Sequence, residues 1–268
     1  MGERFGEGQP PILELLNLEY IEENLYRSGV LSDAQRPRLY GGQVAAQALY
    51  AAGLTVPGGR LPHSLHGYFL RAGSPLRPTV FQVERDRDGH SFSARRVVAI
   101  QNGEVIFNMA ASFAEPSPGP DLDAEPAPEA PGPEMVPVWT RHSHRASFEF
   151  RSGQTEEAGY RFPSKFWIRC TVDLADDPLL NAAVLTYTSD ISSGLISFEN
   201  DGGQSGPSVD HSVWFHRPAR MDQWNWLDLV PQTAAAGRGL YTGAVYSESG
   251  VRLATIAQES LFRTPKKP

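Results

Sequence analysis

Apolar and polar residues alternate through residues 79–113 in three strand-like runs, about 79–86, 91–101 and 104–113, separated by D-G-H and by Asn102-Gly103. Asn-Gly between two such runs predicts a tight hairpin, so this stretch reads as an antiparallel meander. Ahead of it, residues 61–71 (L-P-H-S-L-H-G-Y-F-L-R) predict an aromatic strand. Residues 42–54 predict a helix, and Ala45, Ala46, Ala48, Ala51 and Ala52 make it small on nearly every side. Such a helix is expected inside the molecule. Residues 12–18 predict a short helix, 20–26 a strand, and 32–40, polar and interrupted by Pro37, a loop.

Eight prolines among Ala, Gly and acids rule out regular structure in residues 114–137, which read as an extended, solvated spacer. The order of elements then repeats. Strands are expected at 139–149 and 166–172, and a second helix at 178–190, capped by Asp177 with Pro178 in its first turn. After a Ser- and Gly-rich loop at 191–206 come strands at 209–217, 225–230, 238–246 and 251–263, with Ser249-Gly250 as a turn. This divides the chain into a mobile leader (1–11), a first domain (12–113), a linker (114–137) and a second domain (138–264).

In V-D-H-S-V-W-F-H-R-P (209–218), alternation sets Asp210, Ser212, Trp214 and His216 on one side of a strand and His211, Val213 and Phe215 on the other. Aligned on the repeat, His211 matches His66, Leu65 stands where Asp210 stands, and the Ala110 region stands opposite Gln258. A carboxylate and a carboxamide where the twin half is apolar point to one reactive centre beside Asp210 and Gln258, with the first half as the opposite wall.

Composition narrows the function classes. The formal charge is −7, but six acids lie in the linker, which has no Lys or Arg, so the remainder is nearly neutral. No basic stripe for a nucleic-acid backbone is present, and no apolar run is long enough to span a membrane or to serve as a secretory leader. The single cysteine, Cys170, excludes an internal disulfide and a cysteine-built metal site, in keeping with a cytoplasmic protein, and reads as a small buried filler. His63, His66, His211 and His216 lie in aromatic strands and read as structural hydrogen-bonders. Neither a nucleophile elbow nor zinc spacing accompanies them.

G-G-Q-V-A-A-Q-A-L, H-S-L-H-G-Y-F-L-R-A-G, D-G-H-S-F-S-A-R-R-V-V-A-I-Q-N-G, D-H-S-V-W-F-H-R-P and A-Q-E-S together resemble the acyl-CoA thioesterase II family of double hotdog proteins, over about 26–113 and 139–263. The resemblance implies an α+β fold in which two antiparallel sheets each wrap a central helix and join into one broad sheet. It implies hydrolysis of fatty acyl-CoA to free acid and coenzyme A by direct attack of water, with no metal and no cofactor beyond the coenzyme A of the substrate, in a homo-oligomer. The family's Asp and Gln fall on Asp210 and Gln258. Its hydroxyl falls on Thr233, or its place is taken by Gln232, because V-P-Q-T-A-A-A-G-R-G is one residue shorter than the usual run.

Gly41 and Gly42 offer orphan helix amides to a developing oxyanion, or serve tight packing at a helix entrance. Trp214 would shield Asp210, and Arg95 or Arg96 is placed to meet coenzyme A phosphates or solvent. Two other readings stay open: a hotdog hydratase acting on enoyl or 3-hydroxyacyl thioesters, which needs a basic His, and a non-catalytic acyl-CoA binder, suggested by the altered run around Thr233.

Overall fold

The computed structural model describes residues 11–30, 38–139, 147–154, 162–199 and 201–264. The expected leader, most of the loop at 32–40 and much of the strand expected from Trp139 onward lie outside the described residues. The first half runs α1 (Ile12–Leu16), β1 (Glu19–Glu22), β2 (Leu25–Arg27), α2 (Gly41–Gly53), β3 (Leu61–Phe69), β4 (Val80–Asp88), β5 (Phe92–Gln101) and β6 (Glu104–Ala114). The second half runs β7 (Phe148–Arg151), β8 (Lys165–Cys170), α3 (Pro178–Ser189), α4 (Ile196–Glu199), β9 (Gln204–Ser208), β10 (Asp210–Phe215), β11 (Asn225–Ala235), β12 (Arg238–Ser247) and β13 (Arg252–Arg263).

All strands join one antiparallel sheet in the order β1-β2-β4-β5-β6-β3-β10-β13-β12-β11-β8-β7, with β9 added beside β13. The second half mirrors the first outward from the β3–β10 seam, which is the double hotdog arrangement. Asn102 (φ 51°) and Gly103 (φ 77°) turn β5 into β6 as their sequence demands. The run at 20–26 is two short strands rather than one, because Asn24 takes a left-handed turn (φ 63°) between them.

α2 and α3 lie antiparallel and pack against one face of the sheet. A methyl built on Gly42 would meet the Tyr187 carbonyl oxygen at 2.5 Å, and one on Gly53 would meet Leu179 at 2.3 Å. The five alanines of α2 are all fully buried, so its small cross-section lets α3 and the sheet close around it. Asp177 caps α3, its Oδ1 accepting from the Leu180 amide at 3.0 Å.

Alternation decides which side of each strand meets the helices. Leu65 pairs with Val213 across the seam, and both are fully buried on the inner face. His66 pairs with Ser212 on the outer face. The alignment of Leu65 with Asp210 is therefore one residue out of phase, since Asp210 shares the outer face with Ser212. A slip of one residue exchanges the two faces of a strand, and the sequence match alone did not detect it.

The linker is solvated over residues 115–126, which are all exposed, and packs on the protein beyond them. It is extended, with one 3-10 turn at Pro133–Met135, and it lies on the outer face of the second half. Val136, Ala127 and Ala130 pack against Trp167, Trp226 and Tyr246, and Trp167 Nε1 donates to the Pro131 carbonyl at 2.8 Å. Arg217 is held by Asp121 and Asp123. An outer face carrying two tryptophans and a tyrosine needs covering, and prolines cover it with little conformational entropy to lose.

Candidate active site

Three polar side chains from the second half converge where its helix ends. Asp190 is the C-cap of α3, Ser208 closes β9, and Gln258 lies in β13. Gln258 Nε2 donates to Asp190 Oδ1 at 2.9 Å and to Ser208 Oγ at 2.6 Å, while Ser208 Oγ donates to the same Oδ1 at 3.2 Å. Asp190 Oδ1 is thus engaged by two neighbours. Oδ2 points elsewhere: a methyl built on Gly41 would lie 2.7 Å from it. The antiparallel helix pair therefore sets a carboxylate from the end of α3 against the start of α2. A carboxylate at a helix C-terminus is disfavoured by that helix's dipole, and the positive end of α2 offsets this.

A cavity of about 620 Å³ opens at this junction, between the two halves. Tyr40, Gly41 and Val44 border it from the start of α2, Phe69, Ile106 and Phe107 from the first sheet, and Asp190, Ser208, Val209 and Leu261 from the second half. Arg38 and Arg71 also line it. Its walls are largely apolar, with one carboxylate and one hydroxyl on the second-half side.

The structure does not bring the sequence-predicted trio together. Gln258 is at the site, 3% exposed on the inner face. Asp210 is on the outer face, paired with Tyr68, and its Oδ1 accepts the Glu259 amide at 2.7 Å. Thr233 is exposed and pairs with Leu240, which pairs with Glu259, so it lies three strands from Asp210, about 14 Å at ordinary strand spacing. Gln232 occupies the bulge before it, exposed, and donates to Thr242 Oγ1 at 2.9 Å. Asp210 and Asp190 are 20 positions apart in sequence and meet opposite faces of the sheet.

The expected substrate contacts divide. Gly41 borders the cavity, whereas Gly42 serves close packing against Tyr187 and Tyr40. Trp214 is 38% exposed on the outer face, edge-on to His66, and does not border the cavity. Arg95 is 1% exposed: its guanidinium donates to Thr55 Oγ1 and carbonyl, to the Arg87 and Ala94 carbonyls and to Asp88 Oδ1. With its donors used inside the fold it has none for phosphate. Arg96 lies on the outer face, paired with Glu84 and Asp86.

Asp190 and Ser208 escaped sequence reading because each sits at the edge of an element. A signal existed: Asp190 is a carboxylate ending an otherwise apolar, buried helix, where it opposes the dipole. The hydrogen bonds expected of the strand histidines are present. His63, His66 and His216 bond to Ser112, Ser212 and Thr255. Cys170 is buried, and burial pushes its thiol up to about 11, as a filler requires.

His211 is fully buried beneath Gln258, and burial holds its pKa below the ordinary histidine value. The unfolded chain protonates this side chain near pH 6.5, the folded chain only at lower pH. The stability it contributes is complete above about pH 6.5 and is lost as pH falls toward the folded value, at up to about 1.4 kcal/mol per pH unit. The unfolding midpoint is expected to drop between pH 7 and pH 5, with a shallower drop in His211→Asn. Equal slopes in the two proteins would contradict this.

No helix among the described residues is long and apolar enough to cross a membrane. Residues 32–114 match the family described as the acyl-CoA thioesterase N-terminal domain, and residues 119–262 its C-terminal domain. The chain is 32% identical over 284 residues to acyl-coenzyme A thioesterase 8 of Mus musculus, covering 94% of this chain and 88% of the relative. It is also 32% identical over 277 residues to acyl-CoA thioesterase 2 of Haemophilus influenzae, covering 94% and 96%. The crystal structure of an acyl-CoA thioesterase II from Mycobacterium marinum superposes with a TM-score of 0.79 at 38% identity, over 95% of this chain and 99% of that one. A hot dog fold protein from Alicyclobacillus acidocaldarius, 18% identical over 95% of this chain and 98% of that one, shares the fold at a TM-score of 0.77. With both halves matched in order and nearly the whole chain aligned, this chain belongs to the acyl-CoA thioesterases, a family of thioester hydrolases.

Proposed function

We propose that this chain hydrolyses fatty acyl-CoA thioesters to free acid and coenzyme A, and that Asp190, Ser208 and Gln258, rather than Asp210 and Thr233, hold the attacking water. The observation that carries this reading is the carboxylate of Asp190, with Oδ1 fixed by two hydrogen-bonding neighbours and Oδ2 at the start of α2, beside an apolar-walled cavity. A thioester is activated enough for water to attack it directly once the water is oriented and partly deprotonated. Asp190 Oδ2 accepts the water's proton as its oxygen bonds to the carbonyl carbon. The C–S bond then breaks, and the proton passes to the departing thiolate. The first amides of α2, at Gly41 and Gly42, have no partner within their own helix and supply donors for the developing oxyanion.

The acyl chain takes the apolar wall formed by Phe69, Ile106 and Phe107. The hydratase reading loses support because His211, which among the described histidines bonds to Gln258, is buried with both ring nitrogens hydrogen-bonded. The binding-protein reading loses its motive because the altered run around Thr233 lies away from the cavity.

The test is thiol release from saturated acyl-CoAs of short to long chain. Quenched enzyme should show no covalent acyl adduct by mass spectrometry. Absence of turnover across the series, or a stoichiometric adduct, would overturn the reading. Gly41→Ala, whose methyl crowds Asp190 Oδ2 and comes within 2.9 Å of Phe69, is expected to lower kcat/KM tenfold or more while the unfolding midpoint moves little. Unchanged kcat/KM would place the reacting carbonyl away from the start of α2.

A further inference from the structure

Behind Asp190 and Ser208 runs a row of buried polar groups that the hydrolysis described above does not use directly. His211 and Ser189 are both fully buried. His211 Nδ1 faces Gln258 Oε1, and His211 Nε2 lies 2.7 Å from Ser189 Oγ. Ser189 directly precedes Asp190, so the row closes into a ring, Ser189–His211–Gln258–Asp190, that ties α3, β10 and β13 together. On the neighbouring strand the inner-face positions are Leu65 and Gly67, so packing alone does not call for an imidazole here.

An amide side chain fits its density of partners in either orientation, and the partners decide which is used. Asp190 as a carboxylate only accepts, so the Gln258 NH₂ must face it, leaving Oε1 toward His211. Oε1 only accepts, so His211 Nδ1 must carry the hydrogen. A neutral imidazole then has a bare Nε2, and the single hydrogen of the Ser189 hydroxyl, which also lies 2.8 Å from the Thr186 carbonyl, is the donor within reach of it at 2.7 Å. The opposite tautomer would set a lone pair against Oε1 and favour turning the amide, which would bring an oxygen against the Asp190 carboxylate.

We propose that Ser189 and His211 are positioning residues for the reaction: Ser189 fixes the Nδ1–H tautomer of His211, and His211 thereby fixes the Gln258 amide in the orientation that holds Asp190 and Ser208. The proposal rests on the assignment of Asp190 as the base. Its effect is on geometry at the water, where a displacement of about 1 Å is enough to cost on the order of 100-fold in rate.

Nitrogen-15 spectra of the histidine ring in the full-length protein test the tautomer directly. His211 is expected to carry its proton on Nδ1, and in Ser189→Ala, where Nε2 loses its donor, the Nδ1–H fraction should fall with kcat reduced about tenfold. Nε2–H in the unmodified protein would overturn the proposal, even if every His211 variant failed to fold. Kinetics separate positioning from packing. His211→Leu should lower kcat about 100-fold with KM within about twofold, while His211→Asn, whose amide N–H stands close to the place of Nδ1–H, should recover at least tenfold of that loss. Equal kcat in the Leu and Asn variants, with unfolding midpoints alike, would count against it. Full activity in Asp190→Asn would remove the assignment on which the proposal rests. An inactive Asp190→Asn beside a fully active His211→Leu would remove the relay alone.

Discussion

Asp190→Asn is expected to lower kcat for thiol release by about 10²- to 10⁴-fold, the range that loss of a positioned general base costs, while Asp210→Asn stays within about threefold of the unmodified protein. The two substitutions make the same chemical change 20 positions apart, so they test placement rather than chemistry. At position 190 the amide keeps hydrogen-bonding capacity toward Gln258 and Ser208 but cannot take a proton. At position 210 the carboxylate's visible task is to accept the Glu259 amide, and an asparagine carbonyl does this as well. KM should change little in either variant, because neither side chain is asked to bind the acyl chain. The reverse result, a silent Asp190→Asn and a dead Asp210→Asn with both proteins folded, would return the reacting centre to the outer face of the sheet.

Arg95→Ala is expected to destabilise the fold by about 3 kcal/mol or more, the scale at which a buried charged partner is lost, with KM for acyl-CoA unchanged in the protein that remains folded. Its guanidinium lies under the end of α2, joined to Thr55 at both Oγ1 and the carbonyl, and to Asp88 at 2.8 Å. Removal leaves a void the size of the largest fully buried side chain among the described residues and frees the carbonyls of Thr55, Arg87 and Ala94 from a donor. Asp88 is held below the usual carboxylate range by its hydrogen bond from Ser93 and then by Arg95, so the variant should also become less sensitive to acid. Denaturant unfolding at pH 7 and pH 4 checks both points. A raised KM with unaltered stability would mean that Arg95 meets the substrate after all.

Much of the architecture was legible in the residues. The alanine-rich run predicted a buried helix over 42–54, and the structure places one at Gly41–Gly53. Asn102-Gly103 predicted its hairpin, and Asp177-Pro178 the start of α3. These are local matters: side-chain size, turn conformations and caps act within a few residues. Gln258 stood out in the sequence because the aligned Ala110 region of the first half is apolar where the second half carries a carboxamide. On the proposed reading the base is Asp190 rather than Asp210: aspartates stand both at the end of α3 and at the start of β10, each leading into buried segments, and the pattern of residues 209–218 made the second the more conspicuous.

What the sequence by itself determined is the set of elements, their period and their antiparallel order. Alternation established which residues of residues 209–218 share a face, but a period of two is silent about which face meets the helices. That choice belongs to tertiary structure: burial of His211 and Val213 against the helix pair turns Asp210 outward. The geometry of the candidate site arose the same way. Only the antiparallel packing of α2 on α3 brings the end of one helix to the start of the other, so that Asp190 faces Gly41 across more than a hundred residues of chain, and only the return of β13 beside β9 and β10 brings Gln258 to both Asp190 and Ser208.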